Sequence, residues 1–175
     1  MGMRPHSRQI LSVEEAFGAN GWHGELVEGR EVLRAGFEAH HTRVDLTAQA
    51  FPPLNALSVV GESPMAVEET HLRYLLELLA RANKKLTLGG FEYDMDRELL
   101  VFRQTNVFER ERYDADIIAS MIHCAVAETD RMIPFAATVR DLPAELLSDL
   151  DLELLLERED LVPGAAYTGM EEEEY

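Results

Sequence analysis

The chain has 175 residues, 46% of them apolar and 28% charged, with a net charge of −17. That is enough for one domain with a real core, and no run reaches the roughly 18 consecutive apolar residues of a membrane span. The negative balance disfavours nucleic acid and anionic membrane as partners, and the single cysteine, Cys124, excludes an intramolecular disulfide or a multi-cysteine metal cluster.

The first ten residues, MGMRPHSRQI, carry basic side chains but no apolar core behind them, so they are expected to be a flexible start and not a secretory signal. With one cysteine and no such signal, the expected compartment is the cytoplasm. Residues 11–21 read as a short helix, with Ser12 as its cap, Glu14 and Glu15 in the first turn and Asn20-Gly21 as its stop. GELVEGREVLRAGFEAHH reads as a hairpin turning at Glu28-Gly29, with Leu33, Ala35, Phe37 and Ala39 on one face. TRVDLTAQAF alternates cleanly: Val44, Leu46, Ala48 and Ala50 point one way, Arg43, Asp45, Thr47 and Gln49 the other. Pro52-Pro53 breaks that strand, and ALSVVGE offers another.

Ser63-Pro64 reads as a helix start, followed by Leu72, Leu75, Leu76 and Leu79 at helical spacing and an end at Asn83. Leu86, Leu88, Phe91, Tyr93 and Met95 then lead through a charged turn to Leu100 and Phe102, giving two strands. RYDADIIASMIHCAVAETDRMI is a long helix capped by Asp114, with Ile117, Ile118, Met121, Ile122, Ala125 and Val126 as its stripe, kinked or ended by Pro134. From Leu142 to Tyr175 there are 11 acidic residues against one basic residue, Arg158. Residues 142–160 are an acidic helix candidate and 161–175 a disordered acidic tail. The order, α-β-β-β-α-β-β-α, predicts an α+β domain over 11–141 with an antiparallel sheet of about five strands flanked by helices.

Chemistry is hard to find. There is no phosphate loop of either common kind. Ser63 lacks the second glycine of a nucleophile elbow and reads better as a helix cap. Glu68 and His71 make a lone E-x-x-H, and the position three before His123 is Ser120, so the second copy that a di-iron bundle needs is missing; His71 reads as a surface or boundary residue. His40-His41 would point to opposite faces of a strand, and His123-Cys124 diverge by about 100° on a helix. The acidic DMDRE cluster (Asp94, Asp96, Glu98) resembles the start of a calcium loop, but Leu99 and Thr105 stand where glycine and glutamate are required, so a charged hairpin turn is the better reading. Arg103, Arg110 and Arg112 read as solvated charge, and Leu146–Leu156 as an amphipathic segment that either packs on the domain or docks in a partner's groove.

The stretch LLELLARANKKLTLGGFEYDMDRELLVFRQTNVF, with its leucine-rich helix ending at Asn83, Leu86, Leu88, Gly89 or Gly90, Phe91, acidic turn and Leu100-Val101-Phe102-Arg103, followed by AETDRMIP, resembles the YbjN-type domain over about Leu11 to Val139. The resemblance implies a fold similar to type III secretion chaperones, usually dimeric, and a regulatory role in sensory transduction; it brings no catalytic residue, cofactor or metal. The expectation is therefore a non-enzymatic protein-binding module, chaperone-like or regulatory, that homodimerises and covers a protein or peptide partner. Arg103, Phe108, Leu152 and Leu155 are the expected contacts. The alternatives are a small-molecule or metal-dependent enzyme using His71, His123, Glu68 or Asp94, and an acidic tail acting as a decoy for a basic surface.

Overall fold

The computed structural model describes residues 6–110 and 112–161; the tail expected over 161–175 lies, beyond Leu161, outside the described residues. Six antiparallel strands form one sheet in the order β1-β2-β3-β4-β6-β5. The strands are β1 (Glu25–Leu26), β2 (Val32–Glu38), β3 (Arg43–Phe51), β4 (Ala56–Pro64), β5 (Gly90–Asp94) and β6 (Leu99–Val107), with α1 (Arg8–Ala19) before them, α2 (Glu69–Asn83) between β4 and β5, and α3 (Ala115–Asp141) and α4 (Leu152–Leu155) after them. The α+β class and antiparallel sheet agree with the sequence. The sixth strand is β1, a two-residue edge piece. No described helix is long and apolar enough to cross a membrane.

All helices lie on one side. Leu33, Leu46, Ala48, Leu57, Val59, Leu100 and Phe102 from alternate strand positions join Ile10, Phe17, Leu75, Ile118 and Ile122 in one buried cluster, which supplies the main driving force for folding. Helix α3 crosses β4 directly over Gly61. A Cβ there would stand 2.5 Å from Thr129 Oγ1 and 2.8 Å from the Ala125 carbonyl, so only glycine lets the helix come this close.

Several local expectations change. The first helix begins at Arg8 and not at residue 11, because Ser7 is its cap and accepts from the Ile10 amide at 3.2 Å. Ser12 is inside the helix and donates back to the Arg8 carbonyl. Ser63-Pro64 closes β4 instead of opening a helix; α2 starts five residues on, its N-cap Glu68 making no side-chain bond. Its buried stripe is His71, Leu75, Leu78, Leu79 and Ala82. Pro134 neither ends nor divides α3, which runs on to Asp141 with its buried residues in phase on both sides (Met132, Phe135, Ala136). Strand β5 starts at Gly90, so Leu88 and Met95 flank it, both exposed. The acidic helix candidate is three short pieces, a 3-10 turn over Ala144–Asp149, the single turn α4 and a 3-10 turn over Glu159–Leu161; the first two are separate because Leu150 and Asp151 are extended and Asp151 caps α4.

Candidate functional site

Among the described residues, the helices leave the other face of the sheet uncovered. Its residues follow from the register. Across the strands one row holds Gly36, Asp45, Glu62, Val101 and Glu92; the next holds Glu25, Arg34, Thr47, Val60, Arg103 and Gly90; then come Val32, Gln49, Ser58 and Thr105, and last Phe51, Ala56 and Val107. An acidic row thus lies beside a basic one, followed by a hydroxyl-rich row and an apolar end at which Phe51 and Val107 are exposed.

The charged side chains are fixed on one another. Arg97, from the turn after β5, reaches Glu62 at 2.6 Å and Asp94 at 2.7 Å. Arg103 pairs with Glu92 at 3.0 Å, and Arg43 with Glu38 at 2.8 Å and Asp45 at 3.3 Å. The side-chain hydrogen bond from Arg97 holds the Asp94 carboxyl below the ordinary carboxylate range, and bonds to Glu62 and Asp94 raise Arg97. Exposed pairs of this kind contribute little stability each; here they order the face. Val101 sits between Glu62 and Glu92 in the register and Val60 beside Arg103, which explains why two valines are buried on a face that no helix covers. Arg34 alone of the four arginines on this face has no carboxylate within ion-pair distance among the described residues.

A broad groove of about 1190 Å³ follows this face and continues round the β2 edge to Phe17 and Trp22. Gly24 and Gly36 line it there, with the Arg43 guanidinium lying against Gly36. Four arginines (Arg34, Arg43, Arg97, Arg103) and four carboxylates (Glu14, Glu25, Asp45, Glu62) line it. It is therefore close to neutral in a chain of −17.

Of the expected partner contacts, Arg103 is on this open face. Phe108 is buried, edge-on to Tyr113 at 5.8 Å, and its amide donates to the Asn55 carbonyl. Leu152 and Leu155 are buried against the domain. His71, expected at the surface or boundary, is buried: Nε2 donates to the Leu142 carbonyl at 2.8 Å and Nδ1 takes the Thr70 hydroxyl at 2.9 Å. The Leu142 carbonyl can only accept, so Nε2 carries a proton. Glu68 is exposed at the N-cap of α2, and His123 is exposed on α3, 4.8 Å from the Trp22 ring. Among the described residues no three His, Cys, Asp or Glu side chains are grouped to hold a metal, and the structure does not bring the residues of the enzyme alternative together. Cys124 is half-buried, and burial raises its thiol above the ordinary range, away from nucleophilic reactivity.

Sequence reasoning missed Arg34. It stands in a hairpin read correctly, but its isolation depends on which carboxylates the neighbouring strands bring to that row. It also missed Asp130. This buried carboxylate on α3 accepts from the His41 amide at 2.6 Å and the Thr42 amide at 3.1 Å, tying the β2–β3 turn to the helix. It thereby fixes the strands that carry Arg34 and Arg43.

The YbjN family model, described as "putative bacterial sensory transduction regulator", matches residues 11–137. The match covers more than half of the chain, and the chain belongs to that family. No curated protein matches it.

Proposed function

We propose that this YbjN-family chain is a non-enzymatic, cytoplasmic, protein-binding regulatory module, chaperone-like in action, which covers a polar segment of a partner with the open face of its sheet. The observation that carries the reading is the uncovered face, where an ordered lattice of arginines and carboxylates surrounds a groove that is neutral in an otherwise strongly acidic chain. Such a lattice suits a mixed-charge protein segment, which can exchange ion pairs with it, better than a polyanion, which the four carboxylates would repel. The apolar end at Phe51 and Val107 gives the segment an anchor. The family's regulator description favours the same class of function.

Homodimerisation belongs to this reading. The β5 edge is partly blocked: Asn83 Oδ1 accepts from the Phe91 amide at 2.7 Å and Asn83 Nδ2 donates to the Phe91 carbonyl at 3.0 Å. We assign self-association to the opposite, β2 side, where β1 pairs only with Leu33 and Arg34.

The test is site-specific photo-crosslinking in the native host. A crosslinker at Thr47 or Gln49, on the open face, should trap one defined partner, and Arg34→Glu should abolish the adduct. A crosslinker at Ser120, exposed on α3, should trap none. Adducts from Ser120 but not from Thr47 or Gln49 would refute the assignment of the face.

A further inference from the structure

Residues 142–161 lie beyond the family match, which ends at residue 137, yet they are built onto the domain. The Leu142 carbonyl takes the His71 Nε2 proton at the first turn of α2. Further on, Arg81 in the last turn of α2 reaches Glu153 at 3.4 Å. The segment therefore follows α2 in the same direction as a strap. Leu147, Leu152 and Leu155 are its buried anchors.

The strap is seated but loosely held. Among its described residues it has no α-helix longer than the four residues of α4, and its other helical pieces are 3-10 turns. Its one ion pair to α2 among the described residues is exposed, with side chains 40% and 69% accessible. A cleft of about 550 Å³ opens along the seam. Arg73 and Arg81 line it from α2, and Asp149, Asp151 and Glu153 from the strap. Arg73 has no carboxylate within ion-pair distance among the described residues; it lies over the Tyr74 ring at 4.7 Å. The outer side of α2 thus offers an apolar floor with a rim of Arg73, Arg81 and Glu77, which pairs with Arg81 at 2.8 Å and leaves the rim net positive, and the strap shows what fits there: leucines at L-x4-L-x2-L spacing, from Leu147 to Leu155, among carboxylates.

We infer that the outer face of α2 is a second peptide-binding groove, that residues 142–161 occupy it in cis as a displaceable strap, and that its trans occupant is an acidic, leucine-anchored segment of a partner protein. Occupancy in cis lowers the apparent affinity for that partner by the fraction of molecules whose strap is open, so the strap sets the threshold for capture. This does not depend on the role assigned to the open face of the sheet.

The test uses the full chain and a labelled peptide of residues 142–161 as probe. The double variant L152A/L155A should bind the peptide about ten-fold or more tighter than the unaltered chain does, as expected when the strap is mostly closed. Adding Arg81→Glu should weaken that binding about five-fold or more, by rim repulsion. Leu154→Ala, at a 63% accessible position, should behave as the unaltered chain. A folded double variant that fails to bind the peptide overturns the inference. Exchange of straps between two copies, seen as a crosslink from the strap of one tagged copy to α2 of a differently tagged one, overturns the assignment of the occupant. Should the double variant not fold, hydrogen exchange on the unaltered chain decides: amides of residues 146–156 should exchange about ten-fold or more faster than those of 121–136, and equal protection would mean that the strap opens only with the whole domain.

Discussion

Replacing Asp130 tests whether one carboxylate on α3 holds the β2–β3 hairpin in place. Asp130 is 6% accessible, and its Oδ1 accepts two backbone amides, His41 at 2.6 Å and Thr42 at 3.1 Å. Hydrogen bonds to a charged acceptor contribute about 1.5–3 kcal/mol each. His41 is exposed and Thr42 half-buried, so water can reach the freed amides and recover part of that, and removing a buried carboxylate relieves some desolvation. Asp130→Ala should therefore cost about 2–4 kcal/mol, about 1–2 kcal/mol less than the simple sum of about 3–6. Asp130→Asn keeps an acceptor but not the charge, and neutral acceptors are about half as strong, so it should cost about 1–2 kcal/mol. Urea denaturation measures both, since a slope of about 2 kcal/mol/M converts these costs to midpoint shifts of about 1–2 M and 0.5–1 M. Hydrogen exchange at residues 41–43 should accelerate in the same order. Equal losses for Asn and Ala, or a loss under about 0.5 kcal/mol for Ala, would refute the reasoning.

Gly89 and Gly90 should behave oppositely. Gly89 has φ +71° and a Cβ there would meet Phe102 Cζ at 2.5 Å and the Arg103 carbonyl at 2.8 Å, whereas at Gly90 the nearest atom is Asn83 Oδ1 at 3.5 Å; thermal melts should show Gly89→Ala costing about 2–4 kcal/mol and Gly90→Ala under about 1. Asn83→Ala frees both polar groups of Phe91 at the sheet edge, so sedimentation should show concentration-dependent self-association along with a loss of about 1–2 kcal/mol. Tyr93 donates to the Met65 carbonyl at 2.8 Å, and burial first, then Glu98, raises its phenol above the ordinary value near 10. Because the folded state keeps the proton, this contribution is complete below pH ~10 and is lost as pH rises through the higher folded value; melting temperature against pH from 9 to 11.5 should fall less steeply for Tyr93→Phe than for the unaltered chain.

The sheet was legible because alternation survives where one face is buried: β3 shows the expected pattern at all eight positions that were assigned a face, Arg43 to Ala50. Helix ends were less so. Ser12 and Ser63 both have the chemistry of a cap, but Ser7 takes the first role because the hairpin brings Glu31 to its amide at 3.0 Å, and Ser63 is drawn into β4 by a pairing with Leu100. Neither contact is local, so no local rule could find it. Asp114 was found because its cap is self-contained, accepting only from Asp116 and Ile117. His71 was misplaced for the same reason as Ser12: its partner, the Leu142 carbonyl, is 71 residues away. On the candidate site, Arg103 was named, but its row is assembled from all six strands and has no signature along the chain.

The residues that carry the family resemblance have structural duties. Asn83 seals the edge of β5, Gly89 admits Phe102, Asp94 and Arg97 close the turn, and Asp130 anchors the hairpin. A motif made of clamps and close contacts specifies a backbone and leaves the exterior of the sheet free to vary. Recognition must then be sought in positions the clamps do not use. Arg34 and Thr47 are directly paired on the open face, and neither side chain takes part in any clamp of that motif. Arg34 also costs the domain nothing to keep unpaired, because it is exposed. Charge reversal there should leave the urea midpoint unchanged within about 0.25 M, a shift of about 0.5 kcal/mol at the slope used above, while removing partner capture. A variant that loses stability and capture together would place Arg34 among the structural residues instead.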